Sequence, residues 1–239
     1  MTSSPCPESL RVKIFADGAD LPGILALYRN PLIKGFTTNP TLMRKSGVTN
    51  CESFARELLS AIPDRPISFE VFADEWDDMA RQAERIAAWG KNVYVKIPIT
   101  NTRGESAAPL VRRLTKIGIK VNVTALCTLS QVREVLPAFE NGPPGYISVF
   151  AGRIADTGRD PVPVMAAAVE LLRPLPNVEL IWASPREILN LLQADSVGCH
   201  VITVTHDILA KLPLLGKDLA NVSLDTVKMF ADDARKARL

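Results

Sequence analysis

The stretch 93-VYVKIPI-99 alternates aliphatic residues with a tyrosine, a lysine and a proline. It is too short for a helix of its own, and its β-branched content reads as a strand. Val93, Val95, Ile97 and Ile99 share one face, which leaves Tyr94, Lys96 and Pro98 on the other. Outward from it, helical patterns cover 75–89 and 105–118. Beyond these lie two more β-like runs, 67-ISFEVF-72 and 121-VNVTAL-126. The alternation continues in both directions: VKIFA (12–16), GFTT (35–38), YISVFA (146–151), VELIWA (178–183) and VITVT (201–205). Helical patterns separate them over 20–29, 52–62, 128–139, 161–173, 185–193 and 207–214. Eight β-α units in 239 residues favour a closed (α/β)8 TIM barrel with parallel strands over an open sheet. An additional amphipathic C-terminal helix is predicted over 223–238.

No linker divides the chain, so 1–239 reads as a single domain, with residues 1–10 flexible. A balance of 28 Lys+Arg against 26 Asp+Glu, net +2, argues against a surface dedicated to nucleic acid or anionic membrane. No apolar run approaches the roughly 18 residues of a membrane span. The start MTSSPCPESLRVK lacks the pattern of a secretory signal. Cys6, Cys51, Cys127 and Cys199 are scattered, which suits reduced thiols in a cytoplasmic protein. With two histidines and no CxxC pair, no metal site is expected. Neither GxGxxG nor GxxxxGK[ST] follows a strand, so nucleotide binding through those loops is disfavoured.

Barrel enzymes carry their chemistry at the C-terminal ends of the strands. Side-chain parity there turns Asp17, Ser68, Glu70, Lys96, Asn122, Thr124, Ser148 and Phe150 towards the axis. An apolar setting favours the uncharged amine of a lysine, the form that attacks a carbonyl. The plainer alternative is that Lys96 snorkels to solvent or pairs with an internal carboxylate. A Schiff base also needs a carboxylate to shuttle protons and a base for the donor hydroxyl. Glu70 and Asp17 are available. Alternatively, Asp17 caps the helix near Asp20 and Glu70 is only the partner of Lys96. Nothing in this chemistry requires His200 or His206, which read as core or loop residues. Tyr94 reads as filling one layer lower.

Several separated motifs resemble the transaldolase family: 14-IFADGADL-21, 35-GFTTNPTL-42, 93-VYVKIPIT-100, 122-NVT-124, 148-SVFAGRIADTG-158 and 182-WASPRE-187. The similarity spans about residues 12 to 214, and the length resembles the small members, which include the fructose-6-phosphate aldolase type. The resemblance implies a class I aldolase with no cofactor. Lys96 would be the Schiff-base lysine. Asp17 would deprotonate the donor hydroxyl, and Glu70 would act through a water that Thr124 helps to hold. Asn39 and Asn122 would bind substrate hydroxyls and order the lysine, with Thr37 beside them. Ser148 and Ser184 would be further substrate contacts, and Arg153 and Arg186 would bind the sugar phosphate. Without the flanking motifs, those arginines would read as an ordinary surface ion pair.

Transaldolases resemble one another in a Glu and a Phe where fructose-6-phosphate aldolases have Gln and Tyr. This chain has Glu70 and Phe150, which implies transfer of a dihydroxyacetone unit from sedoheptulose 7-phosphate or fructose 6-phosphate to an aldose phosphate. An aldolase releasing dihydroxyacetone or using an unusual sugar is the alternative. A sugar-phosphate binding protein is the alternative of another class. Two departures stand out: Gly18 where the family more often has threonine, and Pro185 where an aromatic is common. They bear on phosphate affinity and acceptor preference more than on the lysine. The final helix would at its simplest cover the barrel bottom. The resemblance instead implies a homo-oligomer in which this tail meets a neighbour, with Phe230 as an anchor.

Overall fold

The computed structural model describes residues 6–237. Eight parallel strands close into a barrel in sequence order. They are β1 (Lys13–Asp17), β2 (Ile33–Thr37), β3 (Ile67–Glu70), β4 (Val93–Pro98), β5 (Val121–Leu126), β6 (Gly145–Val149), β7 (Val178–Trp182) and β8 (Val201–Thr205). The ring closes where β8 pairs with β1, Asp17 standing opposite Thr205. The helices are α1 (Leu21–Tyr28), α2 (Pro40–Lys45), α3 (Cys51–Ala61), α4 (Trp76–Ala87), α5 (Ala108–Lys116) and α6 (Leu129–Val135). They continue with α7 (Ala151–Ala155), α8 (Val162–Leu172), α9 (Leu189–Ser196), α10 (His206–Leu209) and α11 (Leu219–Ala237).

The parity read from the sequence holds. Val93, Val95 and Ile97 are buried against the helix layer with Leu110, Val111 and Leu114 of α5. Each fully buried aliphatic of this kind contributes about 1.5–3 kcal/mol. On the inside, Phe15, Tyr146, Ile181 and Val201 form a separate cluster that Tyr94 joins. The Phe15 and Tyr146 rings meet edge-on at 5.6 Å, and Tyr94 lies 4.5 Å from Tyr146. Helix starts follow their capping residues. Asp20, Asn39 and Asn50 accept from the backbone N–H three residues on, and Thr128 forms a capping box with Gln131.

The structure corrects several expectations. α2 and α7 are helices that the periodicity did not predict, and the 128–139 pattern ends as a 3-10 turn over Leu136–Phe139. Asp20, not Asp17, caps α1. Of the first ten residues, 1–5 lie outside the described residues, and Pro7–Ser9 form a 3-10 turn. The terminal helix begins at Leu219, ahead of the predicted 223, and position 238 lies outside the described residues. It does not cover the barrel bottom: none of its described residues is buried. Its apolar side chains Leu219, Val222, Leu224, Val227, Met229 and Phe230 are all exposed. Among the described residues, no helix is long and apolar enough to cross a membrane.

Candidate active site

Strand register gathers the polar side chains at one end. Asp17 stands opposite Thr37, Glu70 opposite Lys96, and Lys96 opposite Asn122. They surround a cavity of about 510 Å³ at the C-terminal mouth of the barrel. Its walls include Asp17, Thr37, Asn39, Glu70, Lys96, Thr124, Ser148, Phe150, Arg153, Ser184 and Arg186. Of the residues turned inward at the strand ends or given a catalytic or binding role in the sequence, Asn122 and the axis-facing Ser68 are not in that wall.

Lys96 is 6% exposed, and a charge so buried must be partnered. Its Nζ donates to the Thr38 carbonyl at 2.9 Å and lies 3.1 Å from Glu70 Oε2. Lys96 therefore does not snorkel. Its pairing with Glu70 is present, and both groups also face the cavity. Asp17 accepts from Thr37 Oγ1 at 2.7 Å and from Asn39 Nδ2 at 3.5 Å. The Thr203 hydroxyl in turn hydrogen-bonds Thr37. Burial pushes the Asp17 carboxyl above its ordinary range. Lys96 and the Thr37 hydrogen bond oppose that rise, Glu70 adds to it, and His206 opposes it.

Asn122 is fully buried one layer down. Its amide donates to Ser68 Oγ at 3.1 Å, and its carbonyl accepts from Ser148 Oγ at 2.8 Å. It buttresses Ser148 instead of lining the cavity. Thr124 Oγ1 is buried without a hydrogen-bond partner, a polar atom that a water or substrate group would satisfy. Asn39 does double duty: its Oδ1 caps α2 while its Nδ2 reaches Asp17.

The arginines flank the opening differently. Arg153 is exposed on α7. Arg186 is forked onto Asp156, with Nε 2.9 Å from Oδ1. This contact holds the Asp156 carboxyl below its usual range. Two residues of this rim adopt left-handed backbone, Ala125 at φ 65° and Ser184 at φ 60°. Such strain in non-glycine residues concentrates at functional sites. The Ser184 turn precedes the buried Pro185, and a Cβ on Gly152 would fall on the Ser184 carbonyl. The loop bearing Arg186 is thus seated directly on the first turn of α7, through a position only glycine fits.

Sequence reasoning missed Thr38, Lys45, Asp156, Thr203 and Thr205. Thr38 acts through its carbonyl, which leaves no side-chain signal. Thr203 and Thr205 had one: Val201, Thr203 and Thr205 share the inward parity of β8. Among the described residues, no group of three His, Cys, Asp or Glu side chains is placed to hold a metal ion.

Comparison with known proteins agrees with this geometry. The family described as Transaldolase/Fructose-6-phosphate aldolase matches residues 14–238. A probable transaldolase 2 of Listeria monocytogenes is 37% identical over 215 residues, covering 87% of this chain and 93% of that protein. A probable transaldolase of Thermoanaerobacter sp. is 34% identical over 229 residues, covering 95% and 99%. Among solved structures, the 3-hexulose-6-phosphate synthase of Salmonella typhimurium superposes with a TM-score of 0.58 at 13% identity, covering 86% of this chain and 97% of that one. That last likeness speaks for the barrel alone.

Proposed function

Because this chain belongs to the transaldolase/fructose-6-phosphate aldolase family of enzymes, we propose that it transfers a dihydroxyacetone unit between sugar phosphates through a Schiff base on Lys96. The observation that carries this reading is the buried Lys96 amine, 3.1 Å from Glu70 and in the same cavity as Asp17. In its uncharged form the amine adds to the C2 ketone of a ketose phosphate. Loss of water leaves an iminium. Glu70 moves the protons of this addition and dehydration through a water also held by Thr124, whose unpartnered hydroxyl supports that role.

Asp17 then takes the proton of the C4 hydroxyl. The C3–C4 bond breaks, its electron pair moves towards the iminium nitrogen to give an enamine, and an aldose phosphate leaves. The enamine carbon attacks the aldehyde of a second aldose phosphate, and Asp17 returns the proton to the new alkoxide. Water finally hydrolyses the iminium and frees Lys96. Thr37, Asn39, Ser148 and Ser184 bind the donor hydroxyls, while Arg153 and Arg186 take the phosphate. Arg186 would exchange Asp156 for phosphate oxygens, which present the same fork of acceptors. With sedoheptulose 7-phosphate and glyceraldehyde 3-phosphate, the products are erythrose 4-phosphate and fructose 6-phosphate. Phe150 in the wall favours transfer over release of free dihydroxyacetone, because it offers no hydroxyl to protonate the enamine.

The same reading includes a cytoplasmic homo-oligomer joined through α11. The exposed apolar residues of that helix support the assembly, and four unpaired thiols support a reducing compartment. Borohydride reduction in the presence of fructose 6-phosphate, followed by peptide mass analysis, tests the mechanism. A reduced sugar adduct on Lys96 is expected. No adduct, as a non-catalytic sugar-phosphate binder would give, or an adduct on another lysine would overturn it.

A further inference from the structure

His206 is the first residue of α10, one position beyond Thr205, and Thr205 stands in register with Asp17. Its imidazole therefore lies over the chain that leaves β1. Two glycines make room for it. A Cβ on Gly18 would stand 2.8 Å from its Nε2, and a Cβ on Gly23 would stand 2.9 Å from Cε1 and 3.0 Å from Nδ1. At Gly18 the ring alone excludes a side chain; at Gly23 the Asp20 carboxylate, 2.5 Å from such a Cβ, excludes one together with the ring. That accounts for glycine directly after Asp17 without any demand on backbone angle. The Nε2 atom is buried and has no hydrogen-bond partner, a costly arrangement for a ring serving only as filler.

We propose that His206 is a positioning residue for Asp17: its ring, seated in the slot left by Gly18 and Gly23, clamps the turn that carries the carboxylate and places a titratable group beside it. The proposal rests on the Schiff-base reading, in which Asp17 must be ionised to take a proton. The charged groups around the ring are few. Asp17 comes from β1 and Asp20 from the turn that follows it. Asp207 and Lys211 lie on or just beyond α10 itself. Asp20 is engaged as the cap of α1, with Oδ2 2.9 Å from the Gly23 amide. Asp207 is held ionised by the Thr205 hydroxyl and nearby backbone amides. Asp17 is the remaining carboxylate beside the ring, and His206 lowers its titration.

The test is a ¹³C-carboxyl NMR titration of Asp17 in the full chain, with Asp17→Asn assigning the signal. His206→Gln keeps an amide of similar reach but removes the charge, and should raise the Asp17 midpoint by about half a unit or more. Gly18→Ala should do the same by displacing the ring. In a His206→Ala background, adding Gly18→Ala should change nothing further. The acid limb of the kcat/KM profile should move up with the midpoint. An unmoved midpoint in His206→Gln, or an equal effect of Gly18→Ala in both backgrounds, would overturn the assignment. Borohydride trapping of the wild-type chain runs in parallel. Its failure would overturn the Schiff-base reading, while the Asp17 titration still judges His206.

Discussion

Asp17 illustrates how a single side chain sets function against stability. Burial raises its carboxyl above the ordinary value, so the folded state prefers it protonated. For a group shifted upward, the favourable linkage is complete below the unfolded value and disappears as pH rises through the folded one. At neutral pH the ionised form is therefore a burden on the fold. Asp17→Asn should abolish transfer yet raise the Tm by a few degrees at pH 7. Calorimetry should show this gain shrinking as the pH approaches 4. A variant no more stable than wild type at pH 7 would contradict the argument. Phe150→Tyr belongs to the same scale. A phenol in the cavity wall should protonate the enamine and shift product from transferred ketose towards free dihydroxyacetone, about tenfold by product assay. An unchanged product ratio would remove Phe150 from the specificity argument. Parity along single strands made Asp17, Glu70, Lys96 and Thr124 legible in the sequence. It could not reveal the Thr38 carbonyl or the fork between Arg186 and Asp156, because neither follows from periodicity.

Between elements, the β7–β8 seam rests on a histidine. His200 Nδ1 accepts the Leu180 amide of β7 at 3.0 Å, which requires that nitrogen to be unprotonated. Burial lowers the pKa of this ring, with Glu179 opposing the shift and Lys13 adding to it. A depressed histidine contributes stability that is present above its unfolded value, about 6.5, and is lost as the pH falls through the folded value. The Tm should fall by a few degrees between pH 7.5 and 5.5, and His200→Gln should flatten that slope in thermal melts. An identical slope in the variant would exclude His200 as its source. The sequence carried the eight strands and the longer helices because those elements show a period, while the 207–214 pattern resolves into the short α10 and a 3-10 turn over Leu212–Leu214. α2 and α7 are too short to show a period. α2 still had a readable start, since Asn39 caps it and Pro40 is its first residue. α7 begins at Ala151 after Phe150, which makes no side-chain cap, and offered no such sign.

At the scale of the whole molecule, the large exposed apolar side chains gather mostly on α11. Phe230 is 62% exposed and Val227 60%, on a helix that buries no described residue. Covering them with a second copy is the role given to this helix above. Phe230→Asp in the full chain should lower the sedimentation coefficient towards that of a monomer while leaving the thermal stability of the barrel nearly intact. An unchanged coefficient would place the contact elsewhere. The amphipathic pattern announced this helix in the sequence, but only the fold showed that none of its described residues is buried. The aromatic layer of Phe15, Tyr94 and Tyr146 has a consequence of another kind. It fills the barrel interior with packed rings, as barrel interiors are filled by layers of side chains, and the cavity of the site opens at the C-terminal mouth. On the proposed transfer mechanism, the aldose phosphate released by the first half-reaction would go out through the opening by which its successor comes in. The two would then queue for the same passage, and turnover would alternate between departure and arrival.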